Sequence, residues 1–254
     1  MRARRWLLIV PAAVAAYLLI VAVWAWTTFD TVLAHTPAAV DAPLTARQAQ
    51  ILMLVEDPAF FAHRGVSLGR GHGMATISGA VARDVYLDGA DMDGIGGALQ
   101  SLYRSVFACC KRIDLGRDVM AVVLDARLSK TRQLALYASR VYMGTHERRQ
   151  IRGLAAAARG YLGKNLNRTG DDEFIGLVAM IKAPNAYHPV RQAAAYADRV
   201  ARVRALLDGR CKAQGWFDTA LAQCSAITSS HATSARRHAA LSGSAPRPSA
   251  ASSA

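Results

Sequence analysis

Between Trp6 and Trp26 the chain runs for 21 residues without a charged side chain. No other feature limits the fold as strongly. In an apolar medium the backbone must satisfy its own hydrogen bonds, so such a run is read as a helix. At 1.5 Å per residue it covers roughly 32 Å, about the thickness of a bilayer's hydrocarbon core. Arg2, Arg4 and Arg5 precede it, and Trp24 and Trp26 close it where interfacial anchors belong. The positive flank predicts a cytoplasmic N-terminus, with the rest of the chain outside the membrane. A cleaved signal peptide is the alternative. The length of the run and its bulky Val23-Trp24-Ala25-Trp26 end favour an uncleaved anchor. The anchor is assigned to residues 1–29 and a Pro- and Ala-containing linker to 30–44.

The whole chain has 254 residues, a formal net charge of +13 and a pI near 10.2. After the anchor there is room for one domain with a sizeable core. A basic domain beside a membrane suits anionic headgroups, pyrophosphates or acidic glycans, and the anchor argues against nucleic acid as the partner. Of the four cysteines, Cys211 and Cys224 can pair across a short loop, whereas Cys109 and Cys110 are adjacent. No spacing reads as a zinc site.

Helical periodicity dominates the domain, assigned to 45–227. Thr45 caps a helix that carries Ile51, Leu52, Leu54 and Val55 up to Glu56. A helix is expected from Thr76 to Tyr86, then a mobile loop marked by Gly89, Gly94, Gly96 and Gly97, then a helix over 98–107. Leu115, Val119, Val122 and Ala126 stripe a helix over 115–128. Ser129 opens another through Leu134, Tyr137 and Val141, with Gly144 as its stop. Ala-rich residues 151–162, a helix opened by Asp171, Asp172 and Glu173, and a long helix over 191–208 complete the pattern. No segment alternates with period two, so the fold class is all-α. Residues 228–254 are Ser, Ala, Arg and Pro without periodicity and are expected to be a disordered tail, dispensable for folding.

The run Glu56-Asp57-Pro58-Ala59-Phe60-Phe61-Ala62-His63-Arg64-Gly65 spaces an acid, an aromatic and a histidine as E-D-x-x-F-x-x-H-x-G. This resembles the first motif of the peptidoglycan glycosyltransferases of family 51. A second motif, G-x-S-T-x-T-Q-Q-x-x-K-N, is eroded at Gly94-Ile95-Gly96-Gly97-Ala98-Leu99-Gln100-Ser101-Leu102-Tyr103-Arg104-Ser105. There Gln100 remains, Arg104 stands for the lysine, and Gly96-Gly97 replace the Ser-Thr pair. In the third, R-K-x-x-E, Lys111 and Arg112 lie nearby and Arg117 occupies the place of the family's second glutamate. The fourth resembles S-K-x-x-I-L-E-x-Y-L-N-x-x-Y-x-G over Ser129 to Gly144, with Ala135 for the Glu and Ser139 for the Asn. The fifth is nearly intact at Gly153, Ala157, Tyr161, Gly163 and Lys164, and Ile181-Lys182-Ala183-Pro184-Asn185-Ala186-Tyr187-His188-Pro189 resembles the closing turn.

The resemblance implies a two-lobed, lysozyme-like domain that polymerises lipid-linked disaccharide into glycan strands at the outer face of the cytoplasmic membrane. It is similar to the monofunctional members, with no transpeptidase domain. An acceptor hydroxyl attacks an anomeric carbon, a base takes its proton, and cations hold the leaving pyrophosphate. By resemblance Glu56 is the base. Asp57, His63, Gln100, Arg104, Lys111, Arg112, Arg117, Lys130 and Lys164 are the expected substrate-binding residues. For His63 and Phe60 the residues themselves favour structural roles. A divalent cation, Mg or Mn, is implied as cofactor, and the partners implied are lipid-linked precursor, the bilayer and cell-wall synthesis proteins. Arg117 inverts the charge where a carboxylate is expected, and Asp118 on the same helix points about 100° away. Two alternatives therefore stand beside the transferase. One is a catalytically weak relative that binds precursor or glycan within a cell-wall assembly. The other is a lysozyme-like glycosidase, for which Glu56 lacks an evident partner carboxylate.

Overall fold

The computed structural model describes residues 2–37, 43–69, 74–109, 114–216 and 218–224. Lys111, Arg112 and the 228–254 tail lie outside the described residues.

Nine α-helices, one hairpin, one π-helical turn and one short 3-10 helix make up the regular structure among the described residues. Helix α1 spans Arg2–Ala34, α2 Ala46–Glu56, α3 Ile77–Ala82 and α4 Gly94–Cys109. Helix α5 spans Leu115–Arg127 and α6 Lys130–Arg140. After strands β1 (Tyr142–His146) and β2 (Arg149–Arg152) come α7 (Leu154–Leu162), α8 (Asp171–Ile181) and α9 (Ala193–Leu207). Capping fixes the helix starts. Thr45 accepts from the Gln48 amide while the Gln48 side chain accepts from the Thr45 amide, a reciprocal box that begins α2. Thr76, Asp114 and Ser129 cap α3, α5 and α6 in the same one-way sense, each accepting from an amide three residues on.

Two helices are apolar nearly all round and form the centre. Helix α3 buries Ile77, Val81 and Ala82 against α5 and α6. Helix α8 buries every residue from Phe174 to Met180 against α2, α7 and α9. The candidate site lies between these two groups.

Three expectations need correction. First, the chain is mostly helical but not all-α. The helix from Ser129 ends at Arg140, and residues 142–152 form an antiparallel hairpin pairing Tyr142 with Arg152 and His146 with Arg149. Its turn residues, Glu147 and Arg148, adopt φ of 48° and 65°, the primed-turn conformation that matches strand twist. Neither is Gly or Asn, so the usual turn signal is missing. Gly144, at φ 96°, lies within β1 at a break in register and is not a helix stop.

Second, Gly94, Gly96 and Gly97 open α4 rather than marking a loop. A Cβ on Gly97 would stand 1.8 Å from the Met92 carbonyl oxygen, so close packing, not mobility, requires glycine there.

Third, α1 continues unbroken past residue 29 to Ala34, and Trp24 is no interfacial anchor. It is 4% exposed, stacks edge-on with Tyr103 and donates its indole N–H to the Gly96 carbonyl at 3.1 Å. Val21, Ala25, Phe29 and Val32 join it in the core, on the i, i+4 stripe that faces α5. The other face keeps Ile9, Val10, Leu19, Ile20, Val23 and Trp26 exposed. The stretch Ile9–Ala34 is long and apolar enough to cross a membrane, with a mean hydropathy of 2.2.

Candidate active site

Glu56 is the last residue of α2, and the motif around it builds the support that aims it. Asp57 is fully buried. One of its oxygens accepts from the Ile77 amide at 2.9 Å, and the same oxygen meets His63 Nε2 at 2.9 Å. Phe60 is 1% exposed. Gly65 adopts φ +87°, and a Cβ there would come 2.5 Å from the Ala121 carbonyl oxygen. The motif therefore staples the end of α2 to the start of α3 and the middle of α5. Asp57 and His63 act inside the fold and do not reach the cavity beside Glu56.

That cavity, about 450 Å³, is walled by Glu56, Arg83, Asp84, Tyr137, Arg140, Tyr142 and Lys182 together with aliphatic side chains. Tyr137 donates its hydroxyl to the Glu56 carboxylate at 3.1 Å. Burial pushes the Glu56 carboxyl up, and nearby Asp57 adds to this. The Tyr137 hydrogen bond and the charges of Arg199 and Lys182 oppose it. Burial likewise lowers the Lys182 ammonium, and the Glu56 carboxylate partly restores it. The Tyr137 hydroxyl is held well above the ordinary phenol range, first by burial and then by the Glu56 charge, so it stays a donor.

Arg83 and Asp84 open a widened turn, Arg83–Leu87, in which the Asp88 amide donates to the Arg83 carbonyl five residues back. Such turns re-aim side chains and are frequent at functional sites. Asp84 pairs with Arg140 through its Nε, and its other oxygen lies 3.7 Å from Arg152. Asn185 links this wall to the hairpin, accepting from the Thr145 amide at 3.1 Å and donating to the Tyr142 hydroxyl at 3.2 Å.

The other residues expected at the site are engaged elsewhere. Gln100 is 1% exposed; it donates to the carbonyls of Tyr86 and Ala90 and accepts from the Met92 amide. Arg104 donates to the carbonyls of Leu87 and Gly89 and meets Asp91 at 2.5 Å. Together they fasten the 87–92 loop to α4. Arg117 pairs with its neighbour Asp118 at 2.8 Å on α5. Lys130 meets Asp125 at 2.6 Å and lies 4.5 Å over the Phe60 ring. Lys164 meets Glu173 at 2.5 Å on the surface. None of these lines the cavity that holds Glu56.

The cations that do line it were overlooked in the sequence, although Arg140 and Lys182 stand inside the fourth motif and the closing turn. Only the fold shows which side chains of those motifs face inward. Among the described residues no three His, Cys, Asp or Glu side chains gather. The cavity offers two carboxylates, and Asp84 is already neutralised by arginines. This donor set does not fit a dedicated all-protein divalent site.

Comparison with known proteins bears on the same helices. The family model described as Transglycosylase matches residues 114–208, which include Tyr137, Arg140, Tyr142 and Lys182. Penicillin-binding protein 1B of Vibrio cholerae is 32% identical over 160 residues, covering 61% of this chain and 19% of that protein. Penicillin-binding protein 1B of Escherichia coli is 32% identical over 143 residues, covering 55% of this chain and 16% of that protein.

These similarities support a transglycosylase domain of the glycosyltransferase family 51 kind.

A third relative, penicillin-binding protein 1A of Streptococcus pneumoniae, is 29% identical over 172 residues, covering 65% of this chain and 22% of that protein. The chain thus spans about a fifth of the length of these curated relatives. Glu56 lies before the stretch that the family model matches and is joined to it through the Tyr137 hydroxyl.

Proposed function

We propose that the chain is a peptidoglycan glycosyltransferase that transfers lipid-linked disaccharide onto a growing glycan. The observation that carries this is Glu56 on the wall of a 450 Å³ cavity, facing Arg83, Arg140 and Lys182. Glu56 accepts the proton of the acceptor hydroxyl as that oxygen attacks the anomeric carbon. A carboxylate pushed up by burial is a stronger base than a solvated one, and proton transfer of this kind contributes about 100- to 10,000-fold in rate. Tyr137 orients the carboxylate. The three cations stabilise negative charge developing on the departing pyrophosphate. Arg140 uses its Nε on Asp84, which leaves the outer edge of its guanidinium fork for phosphate oxygens.

The domain sits against the membrane. Helix α1 touches it from Tyr17 onward, where the Tyr17 ring meets Tyr103, so part of the spanning stretch and the domain share one level. Ile95 and Leu102, seven residues apart on α4, are 83% and 52% exposed and would meet lipid there. The proposed side is the outer face of the cytoplasmic membrane, and the proposed architecture is the two-lobed, lysozyme-like one of the family.

A second reading, a relative that binds precursor with weak turnover, is favoured by one observation. Arg117 stands where the family has its second glutamate, and it is paired with Asp118 away from the cavity. Polymerisation of purified lipid-linked precursor by the detergent-solubilised protein separates the two readings. Chain growth that is lost in Glu56→Gln supports the transferase, and saturable precursor binding without growth supports the weak relative.

A further inference from the structure

A second cavity, about 240 Å³, lies on the far side of the end of α2. Leu54 and Val55 form one wall, and α9 forms the floor with Arg199. Its rim is the loop closed by the Cys211–Cys224 disulfide, whose Cα atoms are 5.6 Å apart; this loop contributes Lys212 and Thr219.

Arg199 is the unusual member. It is 2% exposed, and its Nε and Nη1 have no hydrogen-bond partner among the described residues. Its nearest aromatic neighbour, Tyr187, lies 5.9 Å from the guanidinium carbon and offers a ring face. Glu56 is the carboxylate whose charge Arg199 feels most, without a hydrogen bond between them; Asp218 is felt less, and its two oxygens accept from the amides of Gln214 and Ala222. A buried guanidinium with open N–H groups is costly unless something completes it. Lys212 is exposed at the mouth and adds a second positive charge, and Thr219 adds a hydroxyl. The remaining wall is mainly aliphatic. Two cations above an aliphatic pocket match a ligand with one planar anionic head and a short apolar stem. The planar fork of arginine fits a carboxylate bidentately.

We propose that this cavity binds a small aliphatic monocarboxylate, its head held by Arg199 and Lys212 and its stem against Leu54 and Val55. The site is separate from the cavity of Glu56 but linked to it by charge. Arg199 helps to keep Glu56 ionised, so a bound carboxylate that neutralises Arg199 makes Glu56 harder to ionise.

Isothermal titration of the full chain in detergent with butyrate, and with butyramide as the neutral isostere, tests this. Butyrate should bind saturably at one site with an affinity that falls as salt rises, and butyramide should give no saturable heat. Lys212→Glu reverses an exposed charge and leaves the core untouched; it should weaken butyrate about tenfold or more. Arg199→Met should abolish binding. If that variant does not fold, Lys212→Glu and the butyramide control still decide the matter. No saturable butyrate binding by the wild type, equal binding of acid and amide, or affinity unchanged in Lys212→Glu would overturn the proposal.

Discussion

Tyr137 donates a 3.1 Å hydrogen bond to the Glu56 carboxylate across 81 residues of sequence. It ties the end of α2 to the middle of α6. It also opposes the effect of burial on Glu56. Removing the hydroxyl therefore leaves the carboxyl harder to ionise. In Tyr137→Phe the acid limb of the pH–rate profile should move to higher pH than in the wild type, with the fold retained. An unmoved limb would show that Tyr137 does not act on the group that titrates.

Glu56 also has a stability signature. Its folded-state pKa is raised, so the unfolded chain loses this proton first as pH rises. Stability should then fall from the ordinary carboxylate range upward through the raised pKa. Glu56→Gln removes the ionisation, so its melting temperature should exceed that of the wild type at pH 8, and the gap should close near pH 4. Parallel curves for the two proteins would mean that Glu56 is not held away from its solution behaviour.

Arg140 and Asp84 form a largely buried pair on the cavity wall, with side-chain exposures of 22% and 11%. Arg140→Ala leaves Asp84 with only the more distant Arg152. Breaking such a pair from one side costs about 3 kcal/mol or more when burial is complete, and somewhat less here. Chemical denaturation should show that loss, and precursor affinity should fall with it. A variant as stable as the wild type would place the pair in solvent.

Restoring the family's hydroxyls at Gly96 and Gly97 looks attractive from sequence, and the packing forbids it. Gly97→Thr drives a Cβ into the Met92 carbonyl, and Gly96→Ser crowds the Met92 side chain at 3.0 Å. Overpacking of this kind costs about 1–3 kcal/mol and shifts the backbone. The double variant should melt lower than the wild type and gain no activity. Gained activity would show that the start of α4 has room to move.

Helix positions were legible because caps and apolar stripes are local. Thr45, Thr76, Ser129 and the acid-rich start of α8 lie where the pattern puts them. The hairpin was not legible, because Glu147 and Arg148 take left-handed φ without a Gly or Asn to announce it. Trp24 was misread because a tryptophan at the end of an apolar helix looks the same whether lipid or protein covers it. In the candidate site, Glu56 was legible by motif. The cations around it were not, because Arg83 owes its direction to a widened turn, and Lys182 owes its place to α8 passing behind α2. Gln100 and Arg104 match motif letters, yet long-range backbone bonds hold them to the 87–92 loop.

The central claim is that Glu56 is the base of a glycosyl transfer. Its most direct test is glycan chain growth from purified lipid-linked precursor by wild type and Glu56→Gln, in the same detergent and at the same concentration. The wild type should make chains, and Glu56→Gln should lose about 100- to 10,000-fold in rate while still binding precursor. Equal chain growth by the two proteins, or none by either despite binding, would contradict it.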